Sequence, residues 1–191
     1  MPGYGAGVFT LYGPSGAVAW FAHKRIREKP PTGGVSVLCE SVPVDPLMQS
    51  FAAKLLSAVT WTGAAMVEFR VAEDGTPYLI EVNGRFWGSL QLAIDCGVDF
   101  PWLLHQSMQG SVAAGPQAYA VGRRLRWLLG DVDSLLIALR EGSSSRSTKA
   151  RALLAFLQSF ADPACRQEIF RIGDPHPGFR EIAHWFKALL H

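Results

Sequence analysis

The chain has no hydrophobic run long enough to span a bilayer, which takes about 20 apolar residues. Its start is broken by Pro2, Gly3, Gly5, Gly7, Gly13 and Pro14 and lacks a basic flank, so it shows no signal-peptide pattern. No membrane partner is expected. Net charge is also small, +2 over 191 residues, which gives no strong pull toward nucleic acid, and none is expected as a partner. Cysteine is scarce. Cys39, Cys96 and Cys165 share no ligand spacing and are odd in number, a pattern of free thiols in a reducing cytoplasm rather than of a disulfide framework. There is no internal repeat. What remains is 49% hydrophobic and 18% charged, the composition of a globular chain with one good core and a small appendage.

The most informative segment runs from Ala64 to Asn83. Asp74-Gly75 is a strong hairpin signal, because a type I′ turn needs positive φ at both central residues. With those two at the tip, Glu73 faces Thr76, Arg70 faces Leu79, Glu68 faces Glu81 and Met66 faces Asn83. Two carboxylates about 5 Å apart repel by roughly 3 kcal/mol at an effective dielectric near 20, and like charges directly opposite destabilise a ladder. A shared proton, a nearby Lys or Arg, or a divalent metal would offset this. Asn83 follows Glu81 by two residues and shares its face. Two carboxylates and an amide carbonyl form the all-oxygen set that Mg²⁺ and Mn²⁺ prefer. Arg85, in the loop Gly84-Arg85-Phe86-Trp87-Gly88-Ser89, adds a cation suited to phosphate. On this reading, Glu68→Gln or Glu81→Gln should slightly raise the melting temperature of metal-free protein. A two-carboxylate hydrolase using Glu68 and Glu81 as acid and base is the alternative chemistry, and Asn83 and Arg85 argue against it.

At these residues the chain resembles the C-terminal half of an ATP-grasp enzyme. Such enzymes carry a glutamate on one strand and Glu-x-Asn-x-Arg at the end of the next, here Glu68 with Glu81-Val82-Asn83-Gly84-Arg85. The similarity extends from about Gly3 through Gly97-Val98-Asp99-Phe100-Pro101. The resemblance implies an α+β fold, a mostly antiparallel sheet flanked by helices, with a partial ATP-grasp subdomain over residues 1–110 and a mainly helical extension over 111–191. It implies ATP and Mg²⁺ (or Mn²⁺) as cofactors, held through Glu68, Glu81 and Asn83, with Arg85 as the catalytic cation and Ile80, on the strand face away from Glu81, near adenine. It implies a ligase that converts a small-molecule carboxylate to an acyl phosphate and passes it to an amine. Family members also carry an upstream lysine-bearing lobe and hinge. Pro2-Gly3-Tyr4-Gly5 resembles the residues just after that hinge, so nucleotide binding and activity are expected to need a lobe that these residues do not supply. A catalytically incomplete binding or scaffold fragment, able to form a homo-oligomer through an exposed sheet edge, is the rival reading.

Basic residues cluster in His23-Lys24-Arg25-Ile26-Arg27-Glu28-Lys29, before Gly33-Gly34. Strand alternation sends Lys24 and Arg25 to opposite faces, so at most one reaches a phosphate. Gly33 and Gly34 would let backbone N–H groups approach an anion. A lone His23 reads as structural. Elsewhere, strands are expected over Val8 to Tyr12, Ala17 to Ile26 and Val35 to Val42. Asp45-Pro46 opens a helix whose stripe Leu47, Phe51, Leu55, Leu56 and Val59 should face the sheet. Ser89 should cap a helix that Gly97 stops. Asp99 to Met108 is a further helix with Trp102, Leu103 and Leu104 in the core. Gly110 to Gly115 reads as loop, and Tyr119 to Leu129 as a strand carrying Arg123, Arg124 and Arg126. Helices follow over Asp131 to Arg140, Lys149 to Phe160 and Phe179 to Leu190, with a flexible linker at Gly142 to Ser147. His176, between two prolines, reads as a surface turn.

Overall fold

The computed structural model describes residues 2–110, 115–116, 118–142 and 144–189. Strands β1 (Tyr4–Gly13), β2 (Gly16–Lys29), β3 (Val35–Ser41), β4 (Gly63–Val71), β5 (Pro77–Asn83), β6 (Arg124–Arg126) and β7 (Cys165–Gln167) form a sheet in the order β5-β4-β1-β2-β3-β6-β7. Pairs β1–β2, β1–β4 and β4–β5 are antiparallel, and β6–β7 is parallel. Six helices among the described residues complete this α+β arrangement: α1 (Pro46–Ala58), α2 (Leu90–Asp95), α3 (Phe100–Met108), α4 (Leu128–Arg140), α5 (Arg146–Ala161) and α6 (His176–Leu189). The chain divides into two compact units, residues 1–25 with 40–123 and residues 26–39 with 124–191.

In the first unit, β1 has a neighbour on each side and is buried from Gly5 to Gly13. A strand covered on both faces has no reason to alternate, and its sequence is a near-continuous apolar and small run. Helix α1 starts as the sequence dictates. The Asp45 carboxylate accepts from the N–H groups of Leu47 and Met48, both at 2.9 Å. Of the stripe expected to face the sheet, Leu56 alone is buried. Met48, Ala52 and Leu56 are buried against Ala6, Val8, Val67 and Phe69, whereas Leu47, Phe51, Leu55 and Val59 are exposed. Two apolar stripes run side by side on this helix, and the one carrying small Ala52 permits the closer approach to the sheet. Trp102 is likewise exposed; Phe100 and Leu103 supply the core contacts of α3. Its N-cap is Asp99, which accepts from Trp102 N–H at 2.9 Å.

The expected strand at 119–129 shrinks to β6, which belongs to the second unit. Gly122 takes φ +83°, and the Trp127 carbonyl already accepts from Asp131 N–H at 2.9 Å, so the helix begins at Leu128 rather than Asp131. Arg126 is fully buried. Its Nε donates to Asp131 at 2.6 Å, and its guanidinium lies 4.3 and 4.1 Å from the rings of Phe156 and Phe160. Arg27 grips the same carboxylate through Nε and Nη2, each at 2.7 Å. This pairing of two arginines on one aspartate links β2, β6 and α4. Helix α6 begins at His176, which is exposed. The loop expected over 110–115 falls largely outside the described residues, as do position 143 of the linker and Leu190.

Candidate functional site

The hairpin brings Glu68 and Glu81 together by a route the sequence did not show. The turn is not a two-residue type I′ turn. Gly75 N–H donates to the Ala72 carbonyl at 3.0 Å and Ala72 N–H to the Thr76 carbonyl at 2.9 Å, with φ +86° at Gly75, so three residues form the loop. The register is therefore one residue off from the expected one near the tip: Arg70 pairs with Tyr78, not Leu79, and Phe69 pairs with Leu79. A β-bulge between Glu68 and Phe69 then leaves Ile80 as the extra residue and restores the pairs Glu68–Glu81, Val67–Val82 and Met66–Asn83. The bulge also corrects the expected alternation around Ile80. Leu79 lines a groove with Val67 and Phe69, while Glu81 reaches Asn83 and Glu68, so the strand changes face across the exposed Ile80.

The Asn83 side-chain amide donates to Glu81 Oε1 at 2.7 Å and lies 3.5 Å from Glu68 Oε1. Glu68 is buried and Glu81 exposed. Burial raises the Glu68 pKa above the usual carboxylate range against the pull of Arg25, and the adjacent Glu81 adds to the rise. Arg25 Nη2 pairs closely with Glu68 Oε2. Lys24, by contrast, pairs with Glu40 at 3.1 Å and lines a pocket of about 450 Å³ with Tyr4 and Asp45. The alternation thus separates the two basic residues, and Arg25 is the one on the carboxylates.

The row across the sheet reads Glu81, Glu68, Gly7, His23. A β-carbon on Gly7 would come within 2.6 Å of the Phe9 ring and 3.1 Å of His23, so the row is open there by necessity. A glycine inside a strand marks such a close approach, and this was the overlooked signal. His23 is buried, and burial followed by the nearby Arg25 pulls its pKa down to about 3. It is a neutral ring packed edge-on against Phe9, with Ser89 Oγ 3.5 Å from Nδ1. Ser89 makes no side-chain capping bond to α2, contrary to expectation.

Arg85 is exposed and donates to the Phe86 carbonyl at 3.0 Å; it is not on the carboxylates. Gly84 precedes it because a β-carbon would lie 2.3 Å from the Trp61 ring. Gly33 and Gly34 belong to the second unit, where Gly33 N–H donates to the Pro30 carbonyl at 3.1 Å and a β-carbon at Gly34 would strike the Lys29 carbonyl at 2.4 Å. Their local role is a tight turn between β2 and β3. Among the described residues, no group of three His, Cys, Asp or Glu side chains forms a metal cluster, so the oxygen set here rests on two carboxylates and an amide.

A family model described as "ATP-grasp in the biosynthetic pathway with Ter operon" matches residues 17–129, more than half of the chain. The chain belongs to the ATP-grasp family. Its fold is similar to that of the phosphoribosylaminoimidazole carboxylase ATPase subunit from Aquifex aeolicus, at 12% identity over 81% of this chain and 55% of that one, with a TM-score of 0.57. It is also similar to N5-carboxyaminoimidazole ribonucleotide synthetase from Thermus thermophilus, at 15% identity over 65% of this chain and 35% of that one, TM-score 0.51. A biotin carboxylase–β-γ-ATP complex from Campylobacter jejuni gives 15% identity, 63% and 28% coverage and a TM-score of 0.50. This ATP-grasp chain thus spans between about a quarter and about half of the length of these solved structures. No curated protein sequence matches it. No helix among the described residues is long and apolar enough to cross a membrane.

Proposed function

We propose that the chain supplies the cation- and phosphate-handling half of an ATP-dependent ligase, which activates a small-molecule carboxylate as an acyl phosphate and passes it to an amine. The observation that carries this reading is the Glu68–Glu81 pair with Asn83 beside it. The donor set fits a hard divalent cation: three side chains with oxygen donors converge, one buried and two nearer solvent. Mg²⁺ or Mn²⁺ bound there would neutralise and align the nucleotide phosphates. Glu68 and Glu81 act as ligands, not as proton donors. Asn83 would present its carbonyl oxygen after a flip of the amide, whose nitrogen faces the carboxylates here. Arg85 offers an exposed guanidinium that neutralises charge on the transferring group, and Ile80 gives adenine an apolar contact. Lys24, Gly33 and Gly34 contribute less to this reading, because each has a local role of its own.

Titration of Mn²⁺ and of Mg-ATP into the purified protein tests the reading. Wild type should bind Mn²⁺, and Glu81→Gln should lose at least about tenfold in Mn²⁺ affinity, since second-sphere changes alone cost that much. Equal Mn²⁺ affinity in the two proteins would end the metal reading. A second reading, as a binding or assembly module, is favoured by the edge strand β5, where Tyr78, Leu79, Ile80 and Val82 are all exposed. Heat from Mn²⁺ but none from millimolar Mg-ATP would favour it. The free cysteines suit a reducing, cytoplasmic setting for either role.

A further inference from the structure

Glu68 has both oxygens engaged by the chain itself: Oε2 by Arg25 and Oε1 by the Asn83 amide, at 3.5 Å. Arg25 comes from β2, two strands away from β4 in the sheet. It must cross β1 to reach Glu68. In the rows it crosses, β1 carries Gly5 and Gly7, which have no side chains to block the path. The side chains of Arg25 and Glu68 are 12% and 11% exposed, so the pair is drawn from water and its charges are weakly screened. The two carboxylates and one guanidinium leave a net charge of −1 at the site. A divalent cation on the same carboxylates would face the guanidinium as a like charge in a site drawn from water.

We propose that Arg25 is a resident counter-ion of the cation site: it neutralises Glu68 until a divalent cation replaces it, so the Arg25–Glu68 ion pair and the bound metal exclude one another. This rests on the metal reading of Glu68, Glu81 and Asn83, and deepens it by naming what regulates occupancy. The consequence is a site that stays closed to cations at low concentration. It also couples metal entry to release of a guanidinium, which then faces whatever anion arrives with the metal.

The test is Mn²⁺ affinity, by electron paramagnetic resonance or calorimetry, in wild type, Arg25→Gln, Arg25→Lys and Glu81→Gln. Arg25→Gln should bind Mn²⁺ about tenfold or more tightly than wild type, because the competing charge is gone. Arg25→Lys keeps the charge without the planar fork and should fall between them; it also serves if Arg25→Gln folds only with metal present. In wild type, the Arg25 Nε resonance should shift on adding diamagnetic Mg²⁺. Arg25 variants that bind Mn²⁺ no more tightly than wild type, while Glu81→Gln loses it, would overturn the counter-ion role and leave the metal site standing. Undiminished binding in Glu81→Gln would remove both.

Discussion

Arg25 changes what the two glutamates should do when neutralised. From the hairpin alone, either Glu→Gln change should relieve repulsion. With Arg25 paired to the buried Glu68, the two are no longer equivalent. Glu81→Gln removes one like charge from an exposed position and should leave the metal-free melting temperature unchanged or slightly higher. Glu68→Gln leaves a mostly buried guanidinium without its carboxylate and should lower stability by about 3 kcal/mol, the scale of breaking one side of a buried pair. Thermal melts of the two variants in chelator distinguish these outcomes; equal shifts would count against the ion pair. Glycines supply a second prediction. Gly84→Ala forces a β-carbon into the Trp61 ring, so it should cost about 1–3 kcal/mol and displace the loop carrying Arg85. A loss under a few tenths of a kcal/mol in chemical denaturation would show that the ring yields freely.

Among the elements, α1 and β5 carry the clearest consequences. Met48 and Leu56 face the core and Phe51 and Leu55 face outward. Leu56→Ala should therefore cost about 2–5 kcal/mol, whereas Leu55→Gln should stay within about 0.5 kcal/mol; denaturant midpoints compare them directly. The sequence placed a helix here and named its cap, but its apolar residues fill two adjacent stripes and periodicity cannot choose between them. The hairpin offers a subtler lesson. The Glu68–Glu81 pairing was legible, yet the turn length that seemed to establish it was wrong by one residue, and a bulge at Ile80 supplied the missing residue. Asp74-Gly75 is compatible with both the two-residue turn and the three-residue loop with glycine in the left-handed region, so local chemistry alone left the register open.

For the molecule as a whole, pH is a lever on stability. Burial, with Glu181 adding its charge, raises the Glu168 pKa from 4.5 to about 7 in the folded chain, against the opposing pull of Arg171. The native state then holds a proton that the unfolded chain releases, so this contribution is fully present below the unfolded value and is lost as pH rises through the folded one. Stability should fall by up to about 3 kcal/mol between roughly pH 4.5 and 7 through this group, and Glu168→Gln should flatten that slope in pH-resolved denaturation. A wild-type curve unchanged by the substitution would reject it. On the proposed cation site, Mn²⁺ at a hundredfold excess over its dissociation constant should stabilise wild type by about 2.7 kcal/mol, and chelator should reverse the shift in melting temperature.

The capped start of α1 was legible from residues two and three positions apart, and the Glu…Glu-x-Asn-x-Arg spacing, with the α+β class its family resemblance implied, could be read along the chain. Which stripe of α1 is buried, how Arg126 and Arg27 share Asp131, and that Arg25 crosses two glycines to hold Glu68 came from folding into three dimensions. Those contacts join residues between 5 and 104 positions apart, and what selects them is close packing and the cost of burying an unpaired charge, which no local pattern records.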